Sequence, residues 1–336
     1  MVNNLAMIDL SGIAFSLPVR FYSNTLPEEV AWPFVLVHLN DYEVRLRQYE
    51  TFVRHVVLDI NVHRFRHIGD YPMNELVRYG RVVRSLAEKY RDRICFIMPD
   101  LPWDPEGYFR GSQYSDNIRK TYTYHVAFLR YVAEACHRFG SQLMFVLQHR
   151  PIKDEPRVGK RKVVVDVEGR LYYLRRSCAY VEDLLSVLKW DHVVYGIAVG
   201  GLCVVDSPKI IAKFLDVAFR WFPQYRIHGL GLTLSVVRYV PDVCRYSYDS
   251  TGWTKPVCSR VYELVKIAEP WIEGKFRQKE LATGRRIRRS FSCKTSTERT
   301  IFFLCYVARL CENLGLRGLA REVWELAEKY AYSKRR

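Results

Sequence analysis

The nine cysteines are scattered, and no two stand in a C-x-x-C spacing, which argues against a zinc ribbon or a thioredoxin-like redox motif. Most are expected to pack as small hydrophobes, and a reducing cytosol is the default setting for such thiols. No apolar run reaches the roughly 18 residues that a membrane span needs. Residues 1–20 lack the basic start and continuous apolar stretch of a secretory leader, so a cytoplasmic location is expected. No G-x-G-x-x-G follows the first apolar run, which disfavours an open dinucleotide-binding sheet. Acidic residues are also short: 36 Asp and Glu face 52 Lys and Arg, a formal net charge of +16. An excess of that size adds self-repulsion and does nothing for a fold, whereas a polyanionic partner is drawn to it. Nucleic acid is therefore the expected partner.

What is present is an alternation of strands and helices. Short runs rich in β-branched and aromatic residues recur at Phe34–His38, His55–Ile60, Ile94–Pro99, Gln142–Gln148, Val193–Val199, Arg226–Leu232 and Arg245–Asp249, with Ile13–Phe21 as a candidate eighth. Amphipathic stretches lie between them, including Asn74–Tyr90, Tyr122–Phe139, Val181–Leu188 and Pro208–Phe222. Before the last, Asp206-Ser207-Pro208 forms a helix start with Pro in the first turn. About eight such repeats predict an α/β fold, a (β/α)8 TIM-type barrel over residues 1–274, with residues 275–336 as a basic segment and C-terminal helices. The helices are expected over Thr300–Leu314 and Leu316–Tyr330, joined near Gly315.

Two basic segments interrupt the alternation. Residues 150–176 read as a hairpin insertion, with Val163–Val167 and Leu171–Leu174 flanking Glu168-Gly169-Arg170. Within it, Lys160, Arg161 and Lys162 follow Gly159, which is given no role. Residues 275–294 hold Arg285, Arg286, Arg288 and Arg289 with a single acid, Glu280. That density of like charge reads as a loop gripping phosphates, and Lys255 is a further candidate contact.

The chemistry-bearing residues fall at the C-terminal ends of the predicted strands: Asp59, Asp100, Gln148, His228 and Asp249. In a parallel barrel these ends meet at one mouth. The ordered set Asp59-Ile-Asn, Pro99-Asp100, Val146-Leu-Gln148, Gly196-Ile-Ala-Val-Gly-Gly-Leu202, His228-Gly-Leu-Gly231 and Tyr248-Asp249-Ser250 resembles the tRNA-guanine transglycosylase superfamily. It is nearer to the divergent branch that places 7-deazaguanines in DNA. The likeness spans about Asp59 to Lys255.

The resemblance implies roles. Asp249 would attack the anomeric carbon of a guanosine and expel the base, forming a covalent glycosyl intermediate. Asp59 would be the general acid/base. Asp100 and Gln148 would read the edge of the base, together with Gly200, Gly201, Leu202, His228 and Gly229. The two adjacent glycines would let backbone amides approach. The target nucleotide would have to leave its stack, with Tyr108, Tyr246 and Trp253 as candidate stacking partners. DNA is favoured over tRNA as the polymer, and a 7-deazaguanine such as 7-cyano-7-deazaguanine is the implied incoming base. A homodimer or a partner subunit stays open. The chain departs from the family at Asp59-Ile60-Asn61, where Asp-Ser-Gly is usual. It also lacks the Cys-x-Cys-x-x-Cys zinc cluster, and no His follows His228. No metal and no cofactor are expected.

Two other readings compete. One is a nucleic-acid-binding paralogue that supports an active partner, to which the altered Asp59-Ile60-Asn61 points. The other is a metal-dependent barrel hydrolase or nuclease using Asp59, His63, Asp100, His149 and His228, for which no H-x-H or H-E-x-x-H spacing speaks.

Overall fold

The computed structural model describes residues 7–61, 72–101, 117–150, 157–158, 162–163, 166–205, 207–255, 257–270 and 295–335. Runs such as FVLVH, HVVLD, ICFI and QLMFVL are apolar on both faces, as strands covered on both sides must be. They form β4 (Phe34–His38), β5 (His55–Asp59), β6 (Ile94–Ile97) and β7 (Gln142–Leu147). With β2 (Arg20–Ser23), β10 (Val194–Val199), β11 (Arg226–Gly229) and β12 (Tyr246–Ser250), they close a barrel in the order β10-β11-β12-β2-β4-β5-β6-β7. All eight pairings are parallel. The expected (β/α)8 TIM-type architecture is thus the one observed.

Helices α2 (Tyr42–Tyr49), α3 (Met73–Tyr90), α4 (Asn117–Phe139), α5 (Val167–Val187) and α6 (Pro208–Trp221) link successive barrel strands from β4 to β11. Helix α3 buries Leu76, Tyr79, Val83, Leu86 and Tyr90, a spacing of three and four that makes one apolar stripe. Ser207 caps α6, its hydroxyl accepting from the Ile210 N–H, with Pro208 at the start as expected. Between β11 and β12 a 3-10 turn, Leu234–Tyr239, stands in for a helix.

The chain forms two compact units. One comprises Pro18–Asn24 and Pro33–Ser250 and holds the whole barrel. The other gathers Met1–Leu17, Thr25–Trp32 and Thr251–Arg336. Within it, β1 (Ile8–Asp9) pairs with β3 (Val30–Ala31), and Trp32 and Trp253 each meet the Phe303 ring edge-on. Helix α7 (Ser259–Ala268), placed by the sequence inside 1–274, packs with the C-terminal helices Ser296–Asn313 and Arg317–Lys334. Arg260 lies 4.5 Å from the Trp324 ring centroid there.

Two sequence expectations need correction. Residues 167–176 are not the second arm of a hairpin but the first turns of α5. Asp166 caps that helix, its carboxylate accepting from the Gly169 N–H at 3.1 Å. Leu171, Leu174, Cys178 and Val181 then fall on one buried face. The helical period outweighs the β-branched run and the Gly169 turn signal. A shorter hairpin does exist, with β8 (Arg157–Val158) antiparallel to β9 (Lys162–Val163). The second correction concerns Ile13–Phe21. Ser11–Ser16 is a short helix, α1, and only Arg20 onward enters the barrel, because Pro18 falls between the two.

Candidate functional site

Several barrel strands carry a polar residue at or just beyond their C-terminal ends, and the parallel arrangement gathers those ends on one rim. Asp249 lies in β12 and is 5% exposed. Three donors surround its carboxylate: the Gly231 N–H at 2.9 Å and His228 Nε2 at 3.3 Å on Oδ1, and Asn24 Nδ2 at 3.2 Å on Oδ2. His228, on the neighbouring β11, is fully buried, and its Nδ1 meets Ser247 Oγ at 3.0 Å. The two strands therefore fix the orientation of the Asp249 carboxylate before any ligand arrives. Gly231 supplies its amide from the left-handed region, at φ 65°, which favours glycine.

Asp59 ends β5 beside His38, which ends β4; the two residues are register partners. His38 Nδ1 is 3.2 Å from Asp59 Oδ2, and the side chains are 30% and 22% exposed. Burial by itself would lower the His38 pKa. The hydrogen bond and charge of Asp59, with the charges of Asp249 and Asp41, outweigh it and leave the pKa raised. Tyr79 of α3 extends its hydroxyl to the carbonyls of Leu58 (3.0 Å) and Ile97 (2.8 Å), tying down the strand ends that carry Asp59 and Asp100.

Asp100 and Gln148 are as buried as the His228–Asp249 pair, 5% and 0% exposed. Gln148 Nε2 donates to Asp100 Oδ2. Burial, followed by the charge of Asp59, pushes the Asp100 carboxyl up to about 8, while the Gln148 hydrogen bond acts against them. Gln148 Oε1 is buried with no hydrogen-bond partner. The surrounding helices hold both residues: Thr121 of α4 accepts from the Leu101 N–H at 2.9 Å, and Ser177 of α5 accepts from the Gln148 N–H at 3.0 Å. Gly200 leaves room for the Gln148 amide, and Gly201 takes φ 69°. Leu202 is fully buried, and Gly229 accommodates the Leu232 side chain.

Behind this rim, Arg170 Nη1 donates to His149 Nδ1 at 3.1 Å, and the His149 ring stacks on Phe214. Burial and then the Arg170 charge hold His149 well below the ordinary pKa, with the Gly200 backbone pulling weakly the other way. Arginine only donates, so Nδ1 accepts and the neutral ring carries its proton on Nε2. Asn61, in the segment where the chain departs from the resembled family, has φ 60°. Asparagine is among the few non-glycine residues that take this conformation readily.

The barrel unit thus brings Asp59, Asp100, Gln148, Gly200, Gly201, Leu202, His228, Gly229 and Asp249 to the C-terminal ends of its strands. Tyr246 is buried against Tyr248, and Trp253 against Phe303, so both serve packing. Lys255 is exposed and belongs to the other unit. Lys162 lies in β9. His63, Tyr108, Lys160, Arg161, Arg285, Arg286, Arg288 and Arg289 lie outside the described residues. Sequence reading missed His38 and Asn24. The signal for His38 was the one used for Asp59, a polar residue closing an apolar strand. Asn24 follows a strand whose start was misread.

Among the described residues no group of three or more His, Cys, Asp or Glu is placed to hold a metal ion, and no helix is long and apolar enough to cross a membrane. No protein-family model matches the sequence, and no curated protein is significantly similar to it. Solved structures that resemble the chain include the carboxyl transferase domain of Rhizobium etli pyruvate carboxylase with 3-bromopyruvate. The two are 12% identical with a TM-score of 0.40, and the match covers 98% of this chain and 56% of that one. The chain thus spans little more than half of that structure's length, at a level that carries no functional argument.

Proposed function

We propose that this chain is a transglycosylase that exchanges guanine in nucleic acid for a 7-deazaguanine base, with DNA favoured over tRNA. The observation that carries the reading is the unpartnered Oε1 of Gln148 beside the protonatable Asp100. A buried acceptor left unsatisfied costs about 1–3 kcal/mol. A flat heterocycle presenting N–H groups would satisfy it and would let Asp100 ionise. Guanine and 7-deazaguanine both present such an edge, and Gly200 lets the Gln148 amide that would meet it pack against the strand end.

Asp249 then acts as the nucleophile. Its donors hold the carboxylate in place: Oδ1 accepts from both Gly231 and His228, while Oδ2, with Asn24 as its donor, retains a further lone-pair direction for the anomeric carbon. Attack breaks the bond from the sugar to guanine and forms an ester-like glycosyl link to Asp249. Attack by the incoming base reverses the link, with Asp59 on the acid/base side of the rim. The net charge of +16 supports a polyanionic partner.

The test is exchange of radiolabelled guanine from duplex DNA and from tRNA by the wild type, Asp249→Ala and Asp249→Asn. Exchange with one polymer that vanishes in both variants supports the reading and names the substrate. Absence of exchange with either polymer, alongside intact salt-sensitive binding, overturns it in favour of a non-catalytic binder.

A further inference from the structure

Resting on that reading, we infer that the proton carrier of the reaction is not Asp59 alone but a His38–Asp59 pair, in which His38 touches the purine and Asp59 orients it. Three observations carry this. First, β4 and β5 are adjacent, and His38 and Asp59 are register partners at their ends, so the backbone sets the pairing. Second, Nδ1 of His38 engages Asp59 Oδ2 at 3.2 Å. A carboxylate accepts, so Nδ1 carries the hydrogen and Nε2 is the nitrogen that gains and loses the catalytic proton. Third, Nε2 has no hydrogen-bond partner among the described residues, and the side chain is 30% exposed, so it is open to a ligand.

The carboxylate–imidazole arrangement is the one by which an acidic residue fixes the tautomer and aim of a histidine base. Among the described residues, the charged groups that act on the ring are Asp59 on β5, Asp249 on β12 and Asp41 in the turn after β4, all acidic, and they favour the imidazolium. An imidazole takes up and releases a proton near neutral pH while Asp59 stays the acceptor that aims it.

The steps balance as follows. In the first half, the sugar–guanine C–N bond breaks and its electron pair passes to the purine, which takes the proton from His38 Nε2. The C–O bond to Asp249 forms at the same carbon. In the second half, the incoming base gives its ring N–H proton to Nε2. The base's deprotonated ring nitrogen bonds to the anomeric carbon, and the electron pair of the C–O bond returns to Asp249. His38 ends protonated, as it began.

The test joins two measurements on the full chain. The first is an NMR pH titration of the His38 ring in wild type and Asp59→Asn. The pair requires the wild-type ring to titrate above the ordinary histidine value and to fall in the variant; an unchanged midpoint overturns it. The second is the pH profile of radiolabelled guanine exchange for wild type, His38→Gln and His38→Ala. Loss of about 10²–10⁴-fold in kcat with KM for the polymer little changed, together with loss of the alkaline limb, is expected. Partial rescue of His38→Ala by added imidazole is expected as well. An active wild type whose His38→Gln variant keeps both rate and profile overturns the assignment and leaves the base-exchange reading standing. An inactive wild type overturns the base-exchange reading itself, and the catalytic role of His38 with it.

Discussion

A β-carbon added to Gly200 would collide with Nε2 of Gln148, well inside any contact that real atoms tolerate. The same Nε2 is the one that donates to Asp100. Gly200 therefore supports the Gln148–Asp100 pair by what it lacks, and on the proposed reading that pair is the base site. In Gly200→Ala the Gln148 amide must move and its hydrogen bond to Asp100 must break. Because the clash falls on a side chain and not on a strand backbone, the barrel should survive. The expected outcome is loss of guanine binding by at least tenfold in calorimetry, with a far-ultraviolet dichroism spectrum like that of the wild type. Undiminished binding would remove Gln148 from the site.

Asp100 ties stability to pH. Its folded-state pKa of about 8 stands above the ordinary 3.8, so between those values the folded protein holds a proton that the unfolded chain has lost. Stability from this group is complete at low pH and declines as pH rises toward 8, by up to roughly 1.4 kcal/mol per pH unit. Asp100→Asn keeps the shape and removes the titration. Urea denaturation at pH 5.5 and 8.5 should show the variant gaining on the wild type at the higher pH. Guanine binding to the wild type at pH 7 should release a proton, visible as a dependence of binding heat on the buffer's ionisation enthalpy. A slope of the same size in the Asn variant would show that another group sets it.

The barrel was legible because its strands are apolar on both faces and its helices carry a clean period. The rim was legible because parallel strands make a polar residue at a strand end conspicuous, as with Asp59 and Asp249. Segment 163–176 misled for a physical reason: a valine run followed by Glu-Gly-Arg satisfies the local rule for a hairpin, while the evidence for a helix lies downstream in Leu174, Cys178 and Val181. Pairings such as His228 with Asp249 and Arg170 with His149 were not legible. They depend on which strands and helices become neighbours, and no short-range spacing encodes that. His38 was missed because its partner is 21 positions away on the adjacent strand.

In the unit that holds the C-terminal helices, Phe303 is fully buried between two tryptophans, with ring centroids 5.6 Å from Trp32 and 5.5 Å from Trp253. Removing a ring of that size from a close-packed site typically costs about 3–5 kcal/mol. Phe303→Ala should therefore lower the denaturant midpoint of this unit and quench-shift the tryptophan emission toward that of exposed indole. Phe303→Leu should recover most of the loss. An unchanged midpoint in the alanine variant would mean that the two tryptophans collapse onto each other and fill the space.

The polymer contact makes its own prediction, independent of the chemistry. The basic run Arg285, Arg286, Arg288 and Arg289 belongs to a chain of net charge +16, and neutralising a phosphate releases a condensed counterion. Each such contact on duplex DNA contributes roughly 0.9 to the slope of log affinity against log salt. Replacing all four arginines by glutamine should reduce that slope by up to about 3.6 if every one meets a phosphate. Affinity at low salt should fall steeply, and affinity at high salt should change far less. Binding of free guanine should stay at the wild-type level, because the residues proposed to read the base are on the barrel strands. A slope that does not change would assign the grip to other cations, Lys255 and the 150–176 segment first among them. A loss of free-base binding would show instead that these arginines also take part in holding the base.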